Sequence, residues 1–386
     1  MADAKIPAAR NGPRRVYVVA GMHRAGTSVV ARGLQALGID LGDRLMSADV
    51  RMNARGFFED LDVVRIDDGL LATLAADWKS LALLADVDWG ADAFASARAE
   101  AHGLLVARLA RTGQFGFKDP RLPRLLPFWQ RAIAEADADD AYVIAVRHPL
   151  SVIDSLTARD GLDVRRSGWL WLTHILCALH FTAGRRRVVV DYDRVVAAPE
   201  RELARIARAF GLPAPAPAIA GAPSYGEFVT AALRHAEHAP GDLAGRDVPP
   251  LVRDVHALAQ RLARDEADAN AADTVAAVAA LFAGLGAFAP LLAYAGSAEC
   301  AADQVPRLEG ELAWARTTLA QASAYSDDLR ATLDARDAAI AAKDAYIADL
   351  VATVERKEAE LVAAHARLQR IGADALGRIV LRKIER

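Results

Sequence analysis

The sequence predicts an α/β protein: a parallel sheet flanked by helices, then an Ala-rich helical connector and a long coiled-coil helix. Three observations carry that expectation. From residue 15 to about 270, short β-branched runs alternate with longer amphipathic stretches, the rhythm of parallel strands joined by crossover helices. Thr274–Ala298 runs without a charged residue, and apolar residues recur at heptad spacing from Leu308 to Ile371.

Taken in order, the strand candidates are Val16–Ala20, Phe115–Phe117, Ala141–Val146 and Val188–Asp191. Helical patterns fall at Ser28–Leu37, Ala95–Arg111, Arg124–Ala136, Leu150–Ala158 and Pro199–Phe210. The strands are almost continuously apolar rather than alternating, which predicts a sheet covered on both faces. The expected divisions are a flexible basic tail over 1–14, a catalytic domain over 15–270, a connector over 271–302, a coiled coil over 303–372 and a basic tail over 373–386.

The uncharged stretch is long enough to span a bilayer by length alone. It is mostly Ala and Gly, with Pro290 inside, so a packed connector helix is the favoured expectation. In the third segment two seven-residue series interleave. Leu312, Leu319, Leu333, Ile340, Ile347, Val354, Leu361 and Leu368 form one, with Ser326 its single polar member. The other runs from Leu308 to Ile371 and includes Arg336, Lys343 and Lys357. No Gly or Pro interrupts the seam between Glu311 and Ile371, and Gly372 is expected to end it. About nine heptads make a rod of roughly 95 Å, which predicts a homodimer or a partner coiled coil through 308–371. A helix folded back on the globular domain is the alternative.

Composition sets outer bounds. The chain has 386 residues, 25% charged and 53% hydrophobic, which excludes wholesale disorder. A net charge of −3 gives no global field for nucleic acid, so no such partner is expected and any anion site must be local. Two cysteines, Cys177 and Cys300, form neither a disulfide framework nor a zinc site. Residues 1–15 are polar and basic, so no secretory leader is expected there and the location is read as cytoplasmic. The basic and apolar run Gly377–Arg386 leaves open peripheral contact with the inner face of a membrane.

Directly after the first strand comes Gly21-Met-His-Arg-Ala-Gly-Thr-Ser28, which opens a helical pattern. Glycines permit the tight turn, and consecutive N–H groups at a helix N-terminus can wrap a phosphate. A Walker A loop needs lysine where Thr27 stands, which disfavours an ATPase or GTPase, and Arg24 can supply the positive charge. The loop resembles the 5′-phosphosulfate loop of sulfotransferases that use 3′-phosphoadenylyl sulfate (PAPS), whose bacterial members often read GMHRSGTS. A second segment, Arg147-His-Pro-Leu-Ser-Val-Ile-Asp-Ser155, is similar to the family's 3′-phosphate motif, in which the Arg and Ser grip that phosphate. A third, Val188-Val-Val-Asp-Tyr-Asp193, is similar to a family strand whose tyrosine lies near the adenine. The resemblance covers roughly residues 15–240. It implies a P-loop-NTPase-like sheet, PAPS as co-substrate without a metal, and a cofactor site of His23, Arg24, Ala25, Gly26, Thr27, Ser28, Arg147, Ser155 and Tyr192.

Sulfuryl transfer needs positive charge on the transferring group, an acceptor held in line and a base for its proton. Arg24 and Lys118 are the cationic candidates. Aligning Gln114–Arg121 with the Lys-Thr-His-Leu-Pro stretch of cytosolic relatives puts Lys118 on the lysine and Pro120 on the catalytic histidine. The usual base is therefore missing. Glu59, in a segment where related glycan and tyrosine sulfotransferases place a catalytic glutamate, is the first replacement. Asp119 is the second unless Arg121 or Arg147 locks it in a structural pair, and His23 is a third. His174 and His180 are not expected to form a metal pair, Arg185–Arg187 reads as a solvated turn, and Arg234-His235 is a weak acceptor-cleft candidate. The resulting expectation is sulfuryl transfer from PAPS to a hydroxyl or amine, on a carbohydrate or glycolipid by analogy with bacterial relatives. A non-catalytic PAPS- or glycan-binding scaffold and a P-loop kinase or NTPase are the alternatives.

Overall fold

The structure is a computed structural model that describes residues 14–48, 56–213, 224–230, 238 and 240–384. Four strands, β1 (Arg15–Ala20), β2 (Gln114–Lys118), β3 (Asp139–Val146) and β4 (Arg186–Asp191), form a parallel sheet in the order β2-β1-β3-β4. The helices between and after them are α1 (Thr27–Ala36), α2 (Leu61–Thr73), α3 (Ala95–Thr112), α4 (Leu122–Glu135), α5 (Pro149–Asp160) and α6 (Val164–Phe181). Then follow α7 (Tyr192–Ala197), α8 (Pro199–Phe210), α9 (Tyr225–Thr230), α10 (Leu251–Ala263), α11 (Ala272–Gly286) and α12 (Ala289–Ile384).

Strand side chains alternate between two cores. Val16, Val18, Phe115, Phe117, Ile144 and Val146 face one core, filled by Leu105 of α3, Trp129 of α4, Ile153 of α5 and Trp171 of α6. Tyr17, Val19, Val143, Val188 and Val190 face the other, closed by Leu34 of α1 and Ile206 and Phe210 of α8. Covering both faces explains why the strands read as apolar runs. Each of the fully buried rings, Phe115, Phe117, Trp129 and Trp171, contributes about 1.5–3 kcal/mol by leaving water.

The register fixes where the site lies. Val19 pairs with Lys118, Ala20 with Ile144, and Val146 with Asp191. The residues that leave the strands, Gly21, Asp119, Arg147 and Tyr192, therefore share the carboxyl edge of the sheet, where open α/β folds bind ligands.

The chain divides into two compact units, Met1–Asp303 and Gln304–Arg386. In the first, Thr274, Val278 and Leu285 of α11 and Leu292 of α12 are buried, and Val278, Leu285 and Leu292 join the core that α6 fills. No single helix among the described residues is long and apolar enough to cross a membrane, although α11 and Ala289–Ala295 pass together by composition with a bend of 55°. The break falls just before Pro290, which the start of a helix tolerates and its interior does not. Helix α12 itself runs on past the apolar seam, through Gly372 to Ile384. One glycine costs only about 1 kcal/mol in a helix, less than the surrounding good helix formers supply.

Candidate active site

The loop after β1 turns through two residues in the left-handed region, Arg24 (φ 67°) and Gly26 (φ 84°). Gly26 caps α1, and no side chain caps that N-terminus, so its first-turn amides present a partial positive charge. A Cβ on Gly26 would lie 2.1 Å from the Tyr192 ring, so only glycine lets this tyrosine pack on the loop. Ala25 and Thr27 are buried beneath it, and the Ser28 hydroxyl donates to the Phe57 carbonyl at 3.1 Å.

Parts distant in sequence meet here. Arg24 Nε donates to Ser155 Oγ at 2.7 Å, and Arg147 Nη1 donates to the Arg24 carbonyl at 3.1 Å. The Arg147 guanidinium lies 4.5 Å from the centroid of the Tyr192 ring, a cation–π geometry. Burial pushes the Arg24 guanidinium down from its ordinary range, and the charges of Arg159 and Arg147 push it further. Burial pushes the Tyr192 phenol up.

Lys118, at the end of β2, donates from Nζ to Glu59 Oε1 at 2.5 Å, and both side chains are buried. Burial raises the Glu59 carboxyl above its ordinary value; Lys118 opposes the rise and Asp119 adds to it. Glu59 is held on both sides. Its carbonyl accepts from Met46 N at 2.7 Å, and its neighbour Asp60 caps α2 and accepts from Arg108 Nη2 at 2.8 Å. Asp119 is fully buried and accepts from both the backbone N–H and Nη1 of Arg121, the structural pairing posed as the alternative to a base. His23 packs on Trp78 with ring centroids 4.4 Å apart. Burial drives its pKa well below the ordinary value, helped by Arg159, Arg121 and Lys118.

Sequence reasoning missed three contributors. Arg159 stands one helical turn after Ser155 on α5 and lies 5.5 Å from the Trp78 ring; the i,i+4 spacing was the available signal. Trp78 belongs to a loop whose carbonyls at 77, 78, 80 and 82 all accept from the fully buried Arg124. Arg108 holds the acidic segment through Asp43 and Asp60, a contact that spacing cannot reveal. One reading is corrected: Arg187 is no solvated turn residue but is buried, donating to Leu179, Thr182 and Ala269. His174 binds the Leu170 carbonyl, and His180 stacks on Phe282. No group among the described residues could hold a metal ion. Arg234-His235 and positions 53–55 lie outside the described residues.

No family model matches the chain, and no curated protein matches it. Among solved structures it is similar to the sulfotransferase domain of the olefin synthase of Synechococcus PCC 7002. The two are 17% identical with a TM-score of 0.33, over 69% of this chain and 99% of that domain. At that distance the likeness bears no weight for chemistry, which rests on the residues above.

Proposed function

We propose that the first unit transfers a sulfuryl group from PAPS to an acceptor hydroxyl or amine. The observation that carries this reading is the convergence of Arg24, Ser155, Arg147 and Tyr192 on one glycine loop at the carboxyl edge of the sheet. In this reading the amides of residues 24–28 and the uncapped start of α1 hold the 5′-phosphosulfate, Arg147 and Ser155 the 3′-phosphate, and Tyr192 the adenine. Bound PAPS supplies an activated sulfuryl group on a phosphate leaving group.

The chain's own residues have three tasks. Arg24 and Lys118 present positive charge in a site of low dielectric, where it counts most. Glu59 is the base: Lys118 engages Oε1, and Oε2 takes the acceptor's proton, its basicity raised by burial toward the range useful at neutral pH. Trp78 is half-buried, with His23 packed on it and the Arg159 and Lys79 cations over its ring. A carbohydrate or glycolipid acceptor met at the cytoplasmic side follows from the family resemblance of the loop motifs.

Calorimetric titration with PAP, the desulfonated cofactor, tests the reading against an Arg147→Ala, Ser155→Ala variant whose folding is checked by circular dichroism. Micromolar binding by the parent, lost in the folded variant, supports it. A folded parent that ignores PAP sinks it. PAP binding with no transfer to any acceptor in a broad hydroxyl and amine panel favours the scaffold, and Glu59→Gln with undiminished turnover removes Glu59 as the base.

A further inference from the structure

We propose that α12 pairs with α12 of a second copy of this chain in antiparallel orientation, with Leu312 of each helix level with Ile371 of the other. From Leu308 to Ile371 every large apolar side chain of the seam is exposed, Leu319 at 72% and Leu361 at 74%. A stripe of this kind, about nine heptads long, is covered by another helix in water. The question is which helix, and in which direction.

The content of the two series decides it. In a parallel, in-register pair each residue meets its own copy. That stacks Arg336 on Arg336, Lys343 on Lys343 and Lys357 on Lys357 in the seam, three like-charge layers. It also sets Ala315, Ala322 and Ala364 against themselves, leaving three layers underfilled. In an antiparallel pair each member of one series meets a member of the other. With Leu312 level with Ile371, each of the three alanines faces a leucine, Ala315 with Leu368, Ala322 with Leu361 and Ala364 with Leu319. Small against large is the complementarity a close-packed interface requires. The single polar residue of its series, Ser326, faces Lys357, while Lys343 and Arg336 face Ile340 and Ile347, over which their stems lie with the charge in solvent. No like charges share a layer, and Leu333 meets Leu350. Sliding one helix by a heptad in one direction puts Leu350 on Ser326, and in the other it puts Lys357 on Leu333. The stated register alone pairs Ser326 with Lys357 and uses the whole seam from Leu312 to Ile371 with its ends flush.

The pairing is independent of the transferase reading, and its test uses the full-length chain. In a Cys300→Ser background, Ala322→Cys and Leu361→Cys are made on chains carrying tags of different size. The two are mixed under reduction and then oxidised gently. The expected product is a cross-link between Cys at 322 of one chain and Cys at 361 of the other, with neither variant linking to itself. Both positions are exposed on the helix, so neither substitution disturbs the first unit. Self-linking through position 322 would establish the parallel arrangement and overturn the proposal. Sedimentation of the unsubstituted parent is the second arm: a dimer is expected, and a monomer at micromolar concentration would end self-pairing and redirect the seam to a different protein.

Discussion

Gly26→Ala probes the contact on which the cofactor reading depends. The added Cβ would sit 2.1 Å from Tyr192 Cδ2 and 2.9 Å from Cε2, where ordinary carbon contacts are about 3.5–4.0 Å. Tyr192 cannot yield cheaply, because its ring is buried and covered by the Arg147 guanidinium. Overpacking of this kind costs about 1–3 kcal/mol. The left-handed backbone at Gly26, φ 84°, adds about 1–2 kcal/mol for any residue with a Cβ. A total of about 2–5 kcal/mol in a unit of this size lowers the midpoint of unfolding by on the order of 10 °C. Scanning calorimetry at fixed pH measures it. A cycle with Tyr192→Ala separates the terms: introduced into that background, Gly26→Ala should cost less than in the parent, because the overlap is gone and only the backbone term persists. A single variant that melts within about 2 °C of the parent, a deficit below roughly 1 kcal/mol, would refute the packing of Tyr192 on the loop.

Lys118→Met leaves the Glu59 carboxylate buried without its partner and should cost about 3–5 kcal/mol near pH 8. A carboxyl whose folded pKa is raised, as burial does to Glu59, contributes stability below its unfolded pKa that is lost as pH rises through the folded one. The deficit of this variant should therefore shrink by about pH 5, read by urea unfolding, and a pH-independent deficit would contradict a buried charge pair. Arg159→Met keeps the stem beside Trp78 but removes both a charge that pushes Arg24 down and the partner of Asp160. These effects oppose each other, so stability without ligand should change by less than about 1 kcal/mol while PAP affinity falls about tenfold, or 1.4 kcal/mol, in a calorimetric titration; unchanged affinity would remove Arg159 from the anion site. Cys177 is fully buried, with its thiol pushed up to about 12, so the native chain should leave it unalkylated at pH 8 and modification should appear only with unfolding, as peptide mass spectrometry can follow.

The sheet was legible because burial on both faces writes itself as uninterrupted apolar runs, and all four strands fall where those runs stand. Helix α2 was not, because Asp62, Arg65, Asp67 and Asp68 break up its apolar pattern. Asp67 is nonetheless buried, where it accepts from Trp129 Nε1 at 2.7 Å. Arg24, Arg147 and Tyr192 of the candidate site could be found because each lies on a strand end or the turn beyond it, and Ser155 because it follows Arg147 by eight residues, about two turns, on α5. The Lys118–Glu59 contact joins residues 59 apart through the approach of the end of β2 to the segment before α2, and no local pattern encodes it. Arg187 was misread for the same reason: its neighbours suggest solvent, while its acceptors come from α6 and from Ala269.

Two groups among the arginines of this chain differ in their chemistry. Arg124, Arg187 and Arg205 are buried and spend their planar forks on backbone carbonyls, Arg205 on Val189 and Leu262 with Asp265 beside it. Five fixed donors per guanidinium make them cross-braces for loops, and burial pulls Arg124 and Arg187 down to about 10. Arg24, Arg147 and Arg159 differ. They gather at the carboxyl edge of the sheet, where Arg159 and Arg147 each push Arg24 down beyond what burial does. Mutual repulsion at a helix start that no side chain caps is a cost that Asp160, which accepts from Arg159 Nε at 2.7 Å, offsets only in part. An anion bound there would relieve it, and every guanidinium of the cluster would contribute to the affinity. Asp160 partners Arg159 as Asp119 partners Arg121, so the cluster is neutralised in part; the like charge that remains at the loop after β1 is what the proposed polyanionic ligand would need there.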